Sequence, residues 1–338
     1  MIKYMLSLLL GIMLFADCAA NGDIESSAKD ANNIYTNPII KTSLPDPTVI
    51  KAGDGFFYLY ATEDIRNVPI YKSKDLVKWT YTGTAFSNAT RPTFVEKGGI
   101  WAPDINYING KYVLYYAMSV WGGELTCGIG VAISDHPEGP FKDLGKLFIS
   151  SEIGVKNSID EYFISDNGHN YLFWGSFRGI YGIELSQDGL SIKPGAEKKQ
   201  IAGNMMEATC ILKRNGYYYL FGSHGFCCDG LKSTYKLTIG RSRNLFGPYL
   251  TRDGKSLLAD AYDVFLHKND KFVGTGHNSE IITDDKQQDW IIYHAYMVSD
   301  PDAGRTVMLD QLKWSNGWPY VDNDSPSSSH AAPYFIKH

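Results

Sequence analysis

Five acidic side chains recur at a similar place along this chain, each a short interval ahead of an aromatic-rich segment. Asp46, Asp104, Asp160, Glu207 and Glu280 stand six to nine residues before their segments. Those segments are Gly55-Phe-Phe-Tyr-Leu-Tyr60, Gly110-Lys-Tyr-Val-Leu-Tyr115, Gly168-His-Asn-Tyr-Leu-Phe173, Gly216-Tyr-Tyr-Tyr-Leu-Phe221 and Asp289-Trp-Ile-Ile-Tyr-His294. A pair of carboxyl groups can break a glycosidic bond. One protonates the leaving oxygen while the other activates water or attacks the anomeric carbon. A third carboxylate is of use there, because its charge raises the acid's pKa and keeps it protonated near neutral pH. Acids this far apart in sequence can cooperate only if the fold gathers them.

The repeat itself supplies such a fold. Short strands recurring at a fixed period are the signature of a propeller. Apolar segments such as Ile129-Gly-Val-Ala-Ile133 and Leu237-Thr-Ile-Gly-Arg241 lead into related turns. These are Ser73-Lys-Asp-Leu-Val-Lys-Trp79, Ser134-Asp-His-Pro-Glu-Gly-Pro140, Ser186-Gln-Asp-Gly-Leu-Ser-Ile192 and Ser242-Arg-Asn-Leu-Phe-Gly-Pro-Tyr249. The pattern predicts an all-β, five-bladed β-propeller over residues 38–321, with four strands per blade. Its innermost strands would line a central axial funnel, and acids at their entry ends would face one another there. No stretch after the first twenty residues has sustained helical periodicity. Residues 322–338, rich in Ser and Pro, read as a loop-like C-terminal tail.

Composition narrows the partners. The 338 residues carry 32 basic and 37 acidic side chains, a formal charge of −5. The charges are interspersed, with no basic stripe of the kind nucleic acid requires. The 23 tyrosines favour strands. Lys3 followed by Met5 to Phe15 has the form of a secretory signal within residues 1–20 and is too short to cross a bilayer. The chain after it is either lipidated at Cys18 or cleaved after Ala20. Asp17 stands where a lipoprotein signal usually has a small residue. Residues 21–37 read as a flexible tether. The expected location is outside the cytoplasm of a bacterium: periplasmic or on the outer membrane or cell surface as a lipoprotein, otherwise secreted. The remaining cysteines fit no zinc spacing. The adjacent Cys227 and Cys228 could form a ring disulfide or pack reduced.

The motifs around the acids, taken in order, resemble glycoside hydrolase family 43, and within it the endo-α-1,5-L-arabinanases. Leu44-Pro-Asp-Pro-Thr-Val49, Trp101-Ala-Pro-Asp-Ile105, Ser158-Ile-Asp160, Gly175-Ser-Phe177 and Met206-Glu-Ala208 carry the resemblance. So do Lys213-Arg-Asn-Gly-Tyr-Tyr-Tyr-Leu-Phe221, Cys227-Cys-Asp-Gly230, Ser233-Thr-Tyr-Lys236 and Leu312-Lys-Trp-Ser-Asn-Gly-Trp318. The resemblance implies an inverting hydrolase with Asp46 as general base and Glu207 as general acid. Asp160 would raise the pKa of the acid and orient it. It further implies a calcium-like ion near the axis, held by His277 with mostly water as its other ligands, and no organic cofactor. His294 is read as part of the fifth blade's core. Three positions depart from the family's pattern: Glu161 and Thr209 stand where proline is usual, and Arg178 stands where an aromatic is common. Glu161 is expected to point away from Asp160 across an extended strand.

Sugar rings have apolar faces, so aromatic platforms are expected beside the acids. Trp101 and Trp121 are the candidates, with Ser176 and Phe177 in the same binding region. Asp104 would hold a sugar hydroxyl or brace its loop. The expected activity is endo-cleavage of arabinan in plant cell-wall breakdown by a monomer. An exo-acting α-L-arabinofuranosidase or β-xylosidase of the same family is the alternative. A binding propeller without catalysis is the third reading, and three carboxylates in these motifs speak against it.

Overall fold

The computed structural model describes residues 33–336, so the signal segment and Cys18 lie outside the described residues. Period-2 alternation of bulky side chains sets the architecture. In Phe57–Tyr60, Phe57 and Leu59 pack toward one neighbouring sheet while Tyr58 and Tyr60 pack toward the other. Tyr112, Leu114 and Tyr116 likewise face one way, and Val113 and Tyr115 the other. A strand with apolar residues on both faces has to be sandwiched between sheets. Each aromatic-rich segment is such a strand.

Five antiparallel sheets result. Blade 1 is Thr48–Lys51, Phe57–Tyr60, Pro69–Ser73 and Thr80–Thr84. Blade 2 is Gly99–Ile108, Lys111–Ser119, Gly128–Ser134 and Lys142–Ile149. Blade 3 is Tyr162–Asp166, His169–Trp174, Ile180–Leu185 and Lys199–Ala202. Blade 4 is Glu207–Arg214, Tyr217–His224, Lys236–Ser242 and Asp263–Leu266. Blade 5 has Asp289–Met297, Thr306–Ser315 and Trp318–Tyr320. Its innermost strand comes in two pieces, Phe272–Gly276 and Ile282–Thr283, both paired with Asp289–Met297. The only α-helix among the described residues is the four-residue turn Ser150–Ile153. Several hairpins turn on Asn-Gly. Asn109 and Gly110 have φ of 49° and 83°, and Asn215 and Gly216 have 50° and 73°. Two successive positive φ values are the demand of a type I′ turn, which Asn-Gly meets at least cost.

Separate apolar clusters fill the seams between blades 1 and 2, 2 and 3, 3 and 4, 4 and 5, and 5 and 1. The last seam closes the ring. There Val49, Phe57 and Leu59 meet Trp290, Ile292, Val307 and Leu309. The chain ends reinforce it. Ile34–Thr36, assigned to the tether by sequence, pairs with Ser329–Ala331, assigned to the loop-like tail. Tyr35 is buried and its hydroxyl donates to the Leu309 carbonyl at 2.5 Å. Ile40 bridges to Val307, so the entering chain extends the outer edge of blade 5. The tether and tail are therefore partly structured, because apolar Tyr35 and Phe335 find cover at this seam.

Each innermost strand is kinked once, within it or beside its cavity end, by a residue in the left-handed region. These are Asp46 (φ 55°), Ala102 (40°), Asp160 (59°), Ala208 (59°) and His277 (46°). Asp tolerates this conformation, whereas Ala and His are held in it at a cost. The kinks turn side chains at the strand entries toward the axis.

Candidate active site

The five acids do not occupy one level. Asp46 and Asp160 are themselves the kinked residues and Glu207 immediately precedes one. Asp104 lies two residues beyond its kink at Ala102, and Glu280 three beyond His277. The first three line a cavity of about 500 Å³ at the entry ends of the inner strands, together with Trp101, Trp121, Ser176, Phe177, His277 and Arg305.

Asp46 is buried amid cations and donors. The Thr62 hydroxyl donates to its Oδ2 at 2.6 Å, and Arg305 Nη1 lies 3.2 Å from Oδ1. His277 Nδ1 is 3.3 Å from the same oxygen. Burial alone would raise the carboxyl's pKa, but Arg305 and then His277 outweigh it and hold Asp46 well below the usual carboxylate range. The backbone N–H of Asp46 donates to His294 Nδ1 at 3.1 Å. That ring nitrogen is thus an acceptor, and burial keeps His294 neutral. His277 is the opposite case. Burial disfavours its charge, yet Asp46, Asp160 and Glu207 together raise its pKa.

Glu207 sits between two hydroxyls. Ser176 Oγ donates to Oε2 at 2.5 Å and the Tyr235 hydroxyl to Oε1 at 2.7 Å. Asn157 Nδ2 donates to Ser176 Oγ at 2.8 Å and fixes that rotor. Tyr235 stacks on the His294 ring at 5.7 Å and 7°. A Cβ at Gly276 would fall 2.1 Å from the Tyr235 ring, so only glycine leaves the tyrosine room. Asp160 Oδ2 accepts the backbone N–H of Ala208 at 3.2 Å, which ties it to the residue beside Glu207. Burial raises the pKa of both carboxyls, and the Glu207 charge pushes Asp160 up further. Such a pair shares a proton and titrates as a unit. One wall of the cavity therefore favours an ionised carboxylate, and on the other burial favours the protonated form of two neighbouring carboxyls.

Trp101 and Trp121 meet with ring centroids 5.6 Å apart, and Trp121 is 74% exposed. They form an apolar lip. Phe226, Cys227 and Cys228 also line the cavity, and the two cysteines are disulfide-bonded.

Asp104 is not among the cavity residues. It accepts the Phe163 N–H at 2.7 Å and Asn106 Nδ2 at 2.9 Å, bracing blade 2 against blade 3. It also faces Glu280, which accepts Thr48 Oγ1 at 3.2 Å and the Val49 N–H at 3.1 Å. Burial raises both pKa values, and the Glu280 charge pushes Asp104 up further. Hence the sugar-hydroxyl role for Asp104 lacks access, for the physical reason that the kink at Ala102 places it below the mouth. Glu161 is buried too, with no hydrogen-bond partner at either carboxyl oxygen, and burial lifts its pKa well above the usual range.

Among the described residues no group of three or more His, Cys, Asp or Glu side chains is arranged to hold a metal. An ion at His277 would draw one nitrogen from that side chain and its remaining ligands mostly from water, a weak anchor for a hard cation, which prefers oxygen.

Arg305, Thr62 and Tyr235 were not singled out by sequence. Tyr235 lies inside Ser233-Thr-Tyr-Lys236, a stretch that signals similarity without signalling a role. Arg305 stands in Gly304-Arg-Thr306 with no repeat partner, and only ring closure brings it to Asp46. Replacing Arg305 by Met is expected to raise the Asp46 pKa, because burial is then opposed chiefly by His277. The acid limb of the kcat/KM profile should move to higher pH by about 1–3 units. A pH–rate series on the variant checks this, and an unmoved acid limb refutes the role.

With this geometry in place, comparison with known proteins becomes informative. The family model for glycosyl hydrolases family 43 matches residues 35–319. An extracellular endo-α-(1→5)-L-arabinanase of Bacillus subtilis is 36% identical over 290 residues, spanning 82% of this chain and 87% of its own. An extracellular exo-α-(1→5)-L-arabinofuranosidase of Cellvibrio japonicus is 33% identical, with 82% and 86% covered. The solved structure of a Cellvibrio cellulosa α-L-arabinanase complexed with arabinohexaose superposes with a TM-score of 0.76 at 32% identity, covering 83% of this chain and 96% of that one. A match through all five blades, with Asp46, Asp160 and Glu207 on one cavity, is more than a shared fold, and the chain belongs to glycosyl hydrolases family 43.

Proposed function

We propose that the protein is an exported arabinan hydrolase, an endo-acting α-1,5-L-arabinanase that inverts the anomeric centre. The observation that carries this is the placement of Asp46, Asp160 and Glu207 on one sugar-sized cavity, with Arg305 and His277 favouring the charged form of Asp46 and burial favouring the proton on Glu207 and Asp160. Hydrolysis needs one group of each kind. Asp46 takes a proton from a water as that water attacks the anomeric carbon. Glu207 gives its proton to the departing sugar oxygen. Asp160 keeps Glu207 supplied with that proton and holds it in position through the Ala208 N–H. Inversion requires room for the water, a carboxyl separation of roughly 6.5–9.5 Å. Trp101 and Trp121 offer faces to the flat sides of arabinofuranose rings. The substrate class follows from the relatives, one of which was solved with arabinohexaose. Export follows from the apolar segment after Lys3 and from the extracellular relatives.

A second reading, exo-action, draws on one contact. Arg178 Nη2 and Nε reach the two carboxyl oxygens of Glu124 at 2.6 and 3.4 Å, joining loops of blades 2 and 3 beside the cavity. A bidentate bridge there would shorten the groove at that end. One experiment tests both readings: product analysis over time on linear arabinan, with NMR of the fresh digest. Oligomers appearing first, with β-configured reducing ends, are expected. Arabinose alone from the first cycle would replace endo by exo action, and α-configured ends would rule out inversion.

A further inference from the structure

A second concave site lies on the face opposite the catalytic cavity. Glu207 pairs with Ser223 at the cavity end of blade 4, whereas Arg214 pairs with Tyr217 at the far end. The Trp318 turn of blade 5 is at that same far end, remote from Arg305. Between them is a groove of about 350 Å³, lined by Tyr217, Arg241, Arg243, Leu250, Arg252 and Trp318.

Its wall is a ladder of alternating cations and rings. The Arg243 guanidinium lies 3.8 Å from the Tyr217 ring centre. Arg241 lies 4.4 Å from both Tyr217 and Trp318, and Arg252 lies 5.1 Å from Trp318. Main-chain carbonyls anchor two of the cations: Arg241 donates to Gly317 at 2.8 Å and Arg243 to Gly216 at 3.5 Å. Only Arg252 has a carboxylate nearby, Asp263 at 3.8 Å, and that oxygen already accepts the Arg252 backbone N–H at 2.6 Å. Asp253, in the same loop, pairs with Lys255. Three guanidiniums thus stand in a row with one counter-charge, Asp263 at 3.8 Å from Arg252, in a protein whose net charge is −5. Contact with the rings holds each guanidinium in place and leaves N–H groups for an anion.

We propose that this groove binds an acidic oligosaccharide, a sugar chain bearing carboxylates of the uronate type, and so holds the enzyme on a mixed polymer while the cavity cleaves neutral chain. The choice of a sugar rests on the hydrolase reading above. Charges in series favour a repeating anion over a single phosphate, and carboxylates match the guanidinium fork. The aromatic and aliphatic lining, with Pro248 and Leu250, suits sugar ring faces.

The test is calorimetric binding of a short oligogalacturonate to the full protein and to an Arg243→Gln/Arg252→Gln variant, with melting curves to verify folding. Should that variant melt early, the single Arg243→Gln change serves instead. The expected result is saturable binding weakened about tenfold or more in the variant, with hydrolysis of neutral linear arabinan unchanged. The methyl-esterified chain should not bind. Absence of binding, equal affinity of folded variant and parent, inorganic phosphate competing as well as the sugar chain, or equal binding to anionic phospholipid vesicles would each overturn the proposal. Binding is read without turnover. A protein that binds the acidic chain but leaves arabinan intact would refute the hydrolase reading and leave the groove standing.

Discussion

Replacing Glu207 by Gln is expected to lower turnover of linear arabinan by about 10²–10⁴-fold, the usual contribution of positioned proton transfer. The amide keeps the shape of the carboxyl and can still accept from Ser176 or Tyr235, so melting behaviour should hardly change. It has no proton to give to the leaving oxygen. An aryl arabinoside, whose phenolate departs without protonation, should therefore be largely spared. Asp46→Asn differs in that respect. Its loss removes the activation of water and should depress both substrates alike. It also leaves Arg305 and His277 facing a neutral amide, which costs stability because a buried cation loses its partner. Parallel kinetics of the two variants on polymer and aryl substrate check the assignment. Equal losses on both substrates for Glu207→Gln would mean that Glu207 is not the proton donor, and wild-type rates for either variant would remove the proposed mechanism.

The second large effect concerns Asp160. Activity requires Asp46 ionised and the Glu207–Asp160 pair carrying its proton. Because the pair's pKa is raised, the proton persists as pH climbs, and activity falls only when pH passes the raised value. Asp160→Asn removes one of two like charges, so Glu207 ionises more readily. The basic limb of the pH–rate profile should move to lower pH by roughly one unit or more, the coupling at which two sites titrate jointly. Activity near neutral pH should drop, while activity at acid pH should be better retained. The acid limb, set by Asp46, should stay in place. A purely structural role would lower the whole profile without moving its limbs, so the pH series separates the two cases.

Much of this arrangement was legible in the sequence because it repeats. The aromatic strands show their two-sided burial in their composition, and Tyr217–Phe221 could hardly be anything but a sandwiched strand. Asp46, Asp160 and Glu207 were legible because their motifs are distinctive. What the sequence hid depends on backbone twist and on closure. The kinks at Ala102 and His277 displace Asp104 and Glu280 along the axis relative to the other acids, and nothing in the spacing of six to nine residues records that shift. Arg305 reaches Asp46 across 259 residues, a contact that exists only once the last blade meets the first. The pairing of residues 34–36 with 329–331 was hidden likewise, since each strand is only three residues long, too short for an alternation to show.

The junction of the first and last blades has a further meaning for how the protein fails. The base belongs to one side of that junction, while Arg305, His277 and His294 belong to the other. The acid pair is housed in blades 3 and 4, on neither side of it. Fraying of the two ends, by protease trimming or mild denaturant, would pull Asp46 from its counter-ions while most of the wheel stays folded. Catalytic output is then a gauge of whether the circle is fastened, and inactivation should precede melting.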